Sequence, residues 1–382
     1  MMKIKIGIIK VGTAVLNAVY AFMKFLPVRK KVTMLSRQDN KPSDEFLMVR
    51  KGIKLRDERV KVVLLCHTLD GGADSSLSDK IKYGFHMLVQ MFHIATSKVV
   101  VLDSYCIVVS ILNHRKDLKV IQMWHSMGTM KKFGYTSLDT EEGSRSEIAY
   151  AMKMHRNYDH IFASSDAYKD HLASGFGYDA AKIMTMPLPR LDLLNSEKYE
   201  ERVREKIYGI YPEFKEKPVI LYCPTFRKNE EAFARALKEL EMAVDHEKYC
   251  FVAKLHPLSK TCAGEEIATA DEFSSFDMLF VADYVVSDYS CIVYEAAVRR
   301  IPLFFYNFDM DLYTDGRGLA IDYYKELPGP ISGDAREIAS AVESAETDGG
   351  YDMEALGKFA EKYVAPTKHA TKDIVDFVFS LM

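Results

Sequence analysis

Cysteine is sparse in this chain of 382 residues and shows no pairing pattern. Its six cysteines have no Cys-x-x-Cys spacing, and several lie inside apolar runs. That usage argues against a disulfide framework and against a zinc site, and it is typical of reduced thiols in the cytosol. The residues are Cys66, Cys106, Cys223, Cys250, Cys262 and Cys291.

Glycine-rich phosphate loops and strong net charge are also missing. Neither a Gly-x-Gly-x-x-Gly nor a Walker loop occurs, which weakens ordinary dinucleotide and P-loop interpretations. A net charge of -3 argues against a general nucleic-acid binder. We find no internal repeat or low-complexity tract. With 48% hydrophobic and 27% charged residues, the chain has the composition of a globular protein, and its length predicts two domains.

The chain also lacks an uncharged hydrophobic run long enough to span a membrane. The uncharged stretch 11–23 has thirteen residues, whereas ~20 apolar residues span a bilayer. A helix over about 4–26 would carry a narrow polar stripe on one side, with apolar residues filling most of the remainder. The stripe consists of Lys3, Lys10, Asn17 and Lys24, which recur every seven residues.

We therefore predict an amphipathic membrane-surface segment at 1–31. Basic residues at its exit would be attracted to anionic lipid, and they are Lys24, Arg29, Lys30 and Lys31. A helix docked on the protein's own core is the main alternative. A signal peptide is disfavoured, because no small-residue cleavage site follows and the cysteines resemble cytosolic ones.

Beyond this segment the chain alternates between β-branched runs and helical periodicity. The pattern predicts an α/β fold with two doubly wound, Rossmann-like domains facing a cleft. We place an N-terminal domain at 32–190, a C-terminal domain at 191–365 and a closing helix at 366–382. The Pro187-Leu188-Pro189-Arg190 segment is the predicted hinge.

His125 follows the apolar run Val120–Trp124, which reads as a buried strand. The carboxyl ends of parallel strands are where open α/β sheets bind ligands, and a histidine there can act as a general base. A core histidine beside the only tryptophan is the alternative. Asp103 ends the strand 99–103 and is assigned with His125 to the catalytic site. Beyond them, Gly128, Lys131 and Lys132 would meet an anionic substrate on the acceptor side.

The second half also delivers polar residues to strand ends. Ser290 is predicted to cap a helix running to about Arg299, whose N-terminus would bind an anion. Glu295, one turn later, could accept hydrogen bonds from ribose hydroxyls. Positive charge for a diphosphate would come from Lys254, Arg227 and His256. Alternatively, Ser290 is only a cap, Glu295 a surface acid and His256 a strand-end residue.

Metal binding is not expected from a dedicated site. Asp309-Met310-Asp311 matches the Asp-x-Asp signature of many sugar transferases. Such a triplet is common by chance, and here Tyr306, Phe308 and Leu312 surround it. No His/Cys cluster has the spacing of a zinc site.

Several motifs together resemble the CDP-glycerol glycerophosphotransferases of teichoic acid synthesis. The resemblance covers roughly residues 60–325, and length and the N-terminal segment are most like the primase subfamily (TagB/TarB type). The motifs are Gln-Met-Trp-His-Ser-Met-Gly-Thr-Met-Lys-Lys-Phe-Gly (122–134), Tyr-Cys-Pro-Thr-Phe-Arg (222–227), Lys-Leu-His-Pro (254–257), Ser-Asp-Tyr-Ser-Cys-Ile-Val-Tyr-Glu (287–295), Pro-Leu-Phe-Phe-Tyr (302–306) and Asp-Gly-Arg-Gly-Leu (315–319).

The resemblance implies a GT-B fold and a reaction without a cofactor. Glycerol phosphate would pass from CDP-glycerol to an undecaprenyl-diphosphate-linked GlcNAc–ManNAc disaccharide, with release of CMP. It makes His125 the base and gives His256 a contact with the donor pyrophosphate. It also implies that the serines of the Ser-Asp-Tyr-Ser motif, Ser287 and Ser290, hold phosphate. We further place on the donor side Thr225, Arg227, Lys254, Asp288, Glu295 and Arg317.

Three positions depart from the family pattern. Many relatives have Gly or Ala where Ser126 stands, a second Ser at Cys291, and Asp where Glu295 stands. The first two leave the chemistry intact, while the third fits a ribose contact with altered geometry.

We expect the protein at the cytoplasmic face of the cell membrane, on an anionic lipid surface. No nucleic-acid partner is expected, and homo-oligomer formation is possible. The nearest rivals use CDP-ribitol or extend a chain that is already primed. An ordinary GT-B nucleotide-sugar transferase and a catalytically dead scaffold are the others.

Overall fold

The computed structural model describes residues 2–69, 75–227, 229–256, 259–264, 266–347 and 349–382. Pro257 of the Lys-Leu-His-Pro motif lies outside these residues. The chain divides into two compact units. Unit 1 comprises Met1–Ser126, Phe133–Asp192 and Thr367–Met382. Unit 2 comprises Met127–Lys132 and Leu193–Pro366, so a six-residue segment of the first half belongs to the second unit.

The described residues form strands β1 Lys31–Ser36, β2 Lys61–Cys66, β3 Val99–Leu102, β4 Lys119–Gln122, β5 His160–Ala163, β6 Ile183–Thr185, β7 Val219–Cys223, β8 Cys250–Ala253, β9 Tyr284–Ser287, β10 Leu303–Tyr306 and β11 Ile331–Ser332. Their helices are α1 Met2–Met23, α2 Asp44–Arg56, α3 Leu77–Ala95, α4 Ile107–Ile111, α5 Ser146–Ala151, α6 Lys169–Phe176, α7 Arg190–Leu194, α8 Glu197–Ile210, α9 Glu230–Ala243, α10 Ser275–Met278, α11 Ile292–Val298, α12 Met310–Gly316, α13 Tyr323–Glu326, α14 Ala335–Ala345, α15 Met353–Tyr363 and α16 Ala370–Ser380.

Unit 1 is built on a parallel sheet with the order β2-β1-β3-β4-β5-β6 among its described residues. The β-branched run 99–102 lies in the interior of this sheet and is fully buried, as expected for a strand covered on both faces. The sequence did not predict β1, which pairs with both β2 and β3. Its position places residues 37 and 38 at the same sheet edge as the end of β4.

Unit 2 contains a second parallel sheet, with the order β11-β10-β9-β7-β8 among its described residues. Helices α9 and α14 pack on it, and Phe233, Leu240 and Ile338 join the buried cluster around Tyr222 and Phe251. The α/β prediction with two parallel-sheet domains is therefore confirmed.

The last helix, α16, belongs to unit 1 and packs against α2. Gly52 allows the close approach, because a Cβ at this position would lie 2.8 Å from Cγ2 of Val375. An ion pair joins Arg56 to Asp376. Asp192 accepts hydrogen bonds from the backbone N–H groups of the first turn of α16, where a carboxylate is favoured by the helix dipole.

Helix α1 has one docked face and one exposed face. Asn17 donates to the carbonyl of Ile111, and Tyr20 is buried with its hydroxyl 2.9 Å from Nδ1 of His114. The opposite face carries exposed apolar side chains such as Ile8 and Phe22, which are 67% and 76% exposed. By length and composition alone, α1 could also cross a membrane.

The basic exit of α1 differs from the prediction at one residue. Lys31 is only 2% exposed, and its ammonium group donates to the hydroxyl of Thr96. Lys31 therefore starts a buried strand and does not meet a membrane. Arg29 and Lys30 are exposed, and Lys30 forms an ion pair with Asp57. Lys24 donates to the carbonyl of Asn113.

Candidate functional site

The turn after β4 sets the position of His125. Trp124 adopts a left-handed backbone conformation with φ of 68°, which costs a non-glycine residue ~1–2 kcal/mol. Its indole ring packs against Phe133 and Phe176, and lies 4.2 Å from the His125 ring between centroids. Aromatic packing therefore offsets the strain and holds the histidine at the carboxyl end of the strand.

The tautomer of His125 follows from its contact with a backbone carbonyl. Nδ1 lies 2.8 Å from the carbonyl oxygen of Asp103, an atom that can only accept a hydrogen bond. Nδ1 therefore carries the proton, and Nε2 of the neutral ring is the acceptor. Burial lowers the pKa of His125, while the hydrogen bond to Asp103 acts in the opposite direction. A neutral imidazole at pH 7 has the protonation state that a general base requires.

Asp103 acts on His125 through its backbone. Its carboxyl group is buried, and burial raises the pKa of Asp103 to about 6, against the effect of hydrogen bonds from Ser36 and Ser104. We assign it the role of orienting the histidine, and its own part in catalysis stays a prediction.

Three residues that the sequence interpretation missed also surround His125. The guanidinium of Arg190 donates to the His125 carbonyl at 3.1 Å and forms an ion pair with the buried carboxylate of Glu45. The Gln38 side-chain amide lies 3.3 Å from Nδ1 of His125. Gln38 and Glu45 follow β1, and recognising the apolar run 32–35 as a strand would have pointed to them.

In unit 2, the Asp288 carboxylate organises the loop after β7. It is fully buried and accepts hydrogen bonds from the Thr225 backbone N–H at 2.9 and 3.0 Å. Ser287, also fully buried, donates through its hydroxyl to the Cys223 carbonyl at 2.8 Å. Both side chains hold β7 and β9 together, so they position the loop residues of the predicted donor site.

Arg227 is engaged by protein carboxylates. Its guanidinium lies 2.8 Å from Asp288 and 2.6 Å from Asp309, and it is 6% exposed. Burial opposes the charge, but the two carboxylates outweigh it and raise the pKa of Arg227. Asp309 of the Asp-x-Asp triplet is therefore engaged in this ion pair. Among the described residues, no group of three or more His, Cys, Asp or Glu side chains could hold a metal ion.

The segment 127–132, predicted to be acceptor-side, lies among the donor-side residues of unit 2. Lys131 donates from its ammonium group to the Thr225 hydroxyl at 3.2 Å. The backbone of Lys132 donates to Gly318, and Arg317 donates back to the Lys132 carbonyl. Gly128 is buried in the same segment.

Burial and nearby charges act on Lys131. Burial lowers the pKa of this ammonium group, Cys291 and Asp288 raise it, and Arg317 and Arg227 lower it further. Lys131, Thr225 and Arg317 therefore form a cationic, hydroxyl-bearing group within unit 2 that could receive phosphate oxygens.

Two more predicted donor residues follow β8. His256 is exposed as a whole residue, and its ring lies 5.2 Å from that of Phe226. Partial burial of the imidazole and the charge of Lys131 lower its pKa. Lys254, in contrast, donates to the carbonyls of Thr269 and Ala270 at 2.8 and 2.9 Å. His256 is thus accessible to a ligand, whereas Lys254 holds the neighbouring loop.

The predicted helix cap at Ser290 is wrong. Helix α11 begins at Ile292, its cap residue is Cys291, and no side chain makes a capping hydrogen bond. Ser290 is half-buried just before it. Glu295 is 1% exposed, which rules out the surface-acid alternative.

Known proteins resemble this chain in sequence and in fold. The sequence profile of the family described as CDP-Glycerol:Poly(glycerophosphate) glycerophosphotransferase matches residues 18–380. The chain is 28% identical to the teichoic acid ribitol-phosphate primase of Bacillus spizizenii over 94% of this chain and 93% of the relative. It is 27% identical to the teichoic acid glycerol-phosphate primase of Bacillus subtilis over 69% of each chain.

Solved structures support the fold. The wall teichoic acid polymerase TagF superposes with a TM-score of 0.73 at 17% identity, covering 99% of this chain and 97% of that one. UDP-GlcNAc 2-epimerase from Neisseria meningitidis superposes with a TM-score of 0.58 at 14% identity, covering 92% of this chain and 100% of that one. The GT-B-like class predicted for the chain is thereby confirmed.

Proposed function

The chain belongs to the CDP-glycerol:poly(glycerophosphate) glycerophosphotransferase family of teichoic acid enzymes, and from this premise we propose a specific reaction. It transfers glycerol phosphate from CDP-glycerol to an undecaprenyl-diphosphate-linked GlcNAc–ManNAc acceptor and releases CMP. A CDP-glycerol-type donor is supported by the family and by a TagF variant whose crystals were soaked with CDPG.

The neutral His125 carries this proposal. Its Nε2 accepts the proton of the acceptor hydroxyl as that oxygen attacks the β-phosphorus of the donor. The P–O bond to CMP then breaks, and CMP leaves with the bonding electron pair. Positioning and charge stabilisation account for most of the catalysis of phosphoryl transfer. The hydrogen bond from Nδ1 to the Asp103 carbonyl keeps Nε2 available throughout.

Unit 2 supplies the charge stabilisation in this proposal. His256, Lys131 and Arg317 contact the donor diphosphate and offset negative charge as CMP departs. Asp288 and Ser287 position the loop that carries Thr225, and Arg227 fixes that loop through its carboxylate partners.

A second donor is favoured by one comparison. The relative that is similar over 94% of this chain is a ribitol-phosphate primase. We therefore keep CDP-ribitol as the alternative donor. Relatives named polymerases also align, such as TarK of Staphylococcus aureus over 91% of this chain, so the primase role belongs to the proposal too.

The decisive experiment presents labelled CDP-glycerol and CDP-ribitol in competition with a lipid-linked disaccharide analogue. We expect CMP release and one polyol phosphate added per acceptor. Preferential transfer of ribitol phosphate would make CDP-ribitol the donor. Repeated addition to one acceptor would make the enzyme a polymerase, and release of UDP from a nucleotide sugar would make it a glycosyltransferase. A protein that releases no nucleotide with any donor is a scaffold.

We further propose that the enzyme works on the cytoplasmic membrane surface. The exposed apolar face of α1 and the basic residues Arg29 and Lys30 support this location. The acceptor's lipid remains in the bilayer, while the donor arrives from the cytosol.

A further inference from the structure

Unit 1 has a basic pocket at the edge of its sheet opposite to His125. The pocket has a volume of about 480 Å³ and is formed by residues that precede β4, β5 and β6. His125 follows the carboxyl end of β4, whereas the pocket lies at the amino ends of these strands. It is therefore separate from the catalytic histidine. Its cationic side chains are Arg115, Lys116, Arg156 and Lys182.

Positive charge in the pocket exceeds negative charge. Asp159 is the carboxylate among its lining residues, and it accepts a hydrogen bond from the Val120 backbone at 2.8 Å. Asp117 lies 3.4 Å from Arg115 and compensates that cation in part. Lys116, Arg156 and Lys182 are all exposed to solvent. A concave site with this balance favours an anion, and several cations suit phosphate oxygens.

Helix α1 is fixed directly to the wall of this pocket. Asn113 and His114 line the pocket. The Asn113 backbone donates to Asn17 at 2.8 Å, and its carbonyl accepts from Lys24 at 2.9 Å. Nε2 of His114 lies 2.7 Å from the carbonyl oxygen of Val109, which can only accept a hydrogen bond. Nε2 therefore carries the proton, and Nδ1 accepts a hydrogen bond from the Tyr20 hydroxyl.

His114 itself is a neutral structural link. Burial, with smaller effects of Lys24 and Arg156, lowers the pKa of His114 to about 4, although the hydrogen bond to Val109 and the charge of Asp159 act in the opposite direction. Lys24, just after α1, and Arg156, between α5 and β5, therefore both act on this imidazole ring. Of the pocket cations, Arg156 therefore lies near the end of α1.

Exposed apolar side chains are also present on α1 and on a neighbouring helix. Helix α3 packs against α1 and carries an exposed apolar row of its own, in which Leu77 and Phe85 are 75% and 67% exposed. Phe25, just after α1, is 86% exposed. Exposed apolar side chains on this scale mark an interaction surface. A ligand that combines a phosphate with hydrocarbon chains satisfies both the pocket and the surface.

We propose that the pocket bounded by Arg115, Lys116, Arg156 and Lys182 binds the phosphate group of an anionic phospholipid, while α1 and α3 contact the acyl region. The inference rests on the membrane-surface location proposed above, but not on the donor or the acceptor of the reaction. It adds a defined headgroup site to a general attraction between basic residues and lipid.

The test compares two variants of the full chain that lose the same charges. The pocket variant carries Lys116→Gln, Arg156→Gln and Lys182→Gln. The control variant carries Lys41→Gln, Arg50→Gln and Lys51→Gln, which are also exposed residues of unit 1. Thermal unfolding of both checks that they fold like the unmodified protein.

Co-sedimentation measures binding to vesicles of phosphatidylcholine with phosphatidylglycerol. Each Lys or Arg near an anionic surface contributes roughly a factor of five. We therefore expect the pocket variant to bind at least about tenfold more weakly, and the control variant to stay within about threefold of the unmodified protein. Equal losses in the two variants would overturn the proposal.

Two further arms separate headgroup binding from other sources of charge. In the first arm, oleate replaces phosphatidylglycerol at equal vesicle charge, so the surface presents carboxylates instead of phosphates. The difference in vesicle affinity between the two variants should then shrink to within about threefold. An undiminished difference on oleate vesicles would mean diffuse attraction and overturn the site. In the second arm, glycerol 3-phosphate is added as a soluble phosphate. If it binds the protein and vesicle affinity stays unchanged, the pocket is a site for a soluble anion instead.

The result is independent of the proposed reaction. Vesicle binding is measured without donor or acceptor, so a protein that transfers no polyol phosphate would still report on the pocket. Conversely, an active enzyme whose variants bind vesicles equally would keep the proposed function and lose this inference.

Discussion

Replacing Arg227 by Met tests whether this arginine is a buried ion-pair partner or a direct donor ligand. In the folded protein its guanidinium faces Asp288, which is fully buried, and Asp309, which is 12% exposed. Three aromatic rings lie within 4.9–5.4 Å of the guanidinium. The substitution leaves both carboxylates without their cation in this enclosure.

The magnitude follows from the burial of the partners. Removing one member of a buried ion pair costs ~3–5 kcal/mol, because the remaining charge stays buried and uncompensated. For a unit of 150–250 residues, that loss lowers the unfolding temperature by roughly 6–20 °C. Arg204→Met is the matched control, since Arg204 is half-exposed in its pair with Glu200. An exposed pair of that kind contributes ~0–1 kcal/mol.

Thermal unfolding and donor binding are measured on the same samples. Adding Asp309→Asn to the Arg227→Met variant should recover part of the lost stability, because one unpaired charge disappears. The reasoning is refuted if Arg227→Met unfolds within about 2 °C of the unmodified protein and at the same time loses its affinity for CDP-glycerol. A shift that small is expected of an exposed ion pair. That result would make Arg227 a donor ligand, as the sequence interpretation had it.

The other predictions concern catalysis and membrane binding. His125→Ala should reduce turnover by ~10²–10⁴-fold with donor affinity nearly unchanged. In the unmodified enzyme the rate should fall only as pH drops below 6.5, because burial lowers the pKa of His125 and protonation removes the base; an acid limb centred above pH 6.5 would contradict this. His256→Ala should weaken both CDP-glycerol binding and turnover, and unchanged affinity measured by titration would exclude a donor contact. Replacing the exposed Ile8 and Phe22 by Ser should abolish vesicle co-sedimentation without lowering the unfolding temperature, whereas Lys31→Met should leave vesicle binding intact because Lys31 is buried.

The elements that depend on local pattern were predictable. The run Val120–Trp124 predicted β4 to within two residues, and it placed His125 at the carboxyl end of the strand. In this strand the buried residues are contiguous, so local and tertiary preferences agree.

Charge misled the interpretation where tertiary contacts override it. Lys31 was grouped with a basic tail, yet it begins a buried strand and bonds to Thr96, 65 residues away. Missing β1 also hid Gln38 and Glu45. Similarly, the partner of Arg227 at Asp309 is 82 residues distant. No sequence window contains both members of such a pair.

The close contact of α2 with α16 has a consequence for biosynthesis. The ion pair Arg56–Asp376 joins residues 320 positions apart, so the first half of the chain emerges from the ribosome long before its packing partner exists. Until residues 370–380 are translated, the face of α2 around Gly52 remains uncovered. Nascent chains stalled before this point should bind chaperones through that face, and chains released from the ribosome with α16 complete should not.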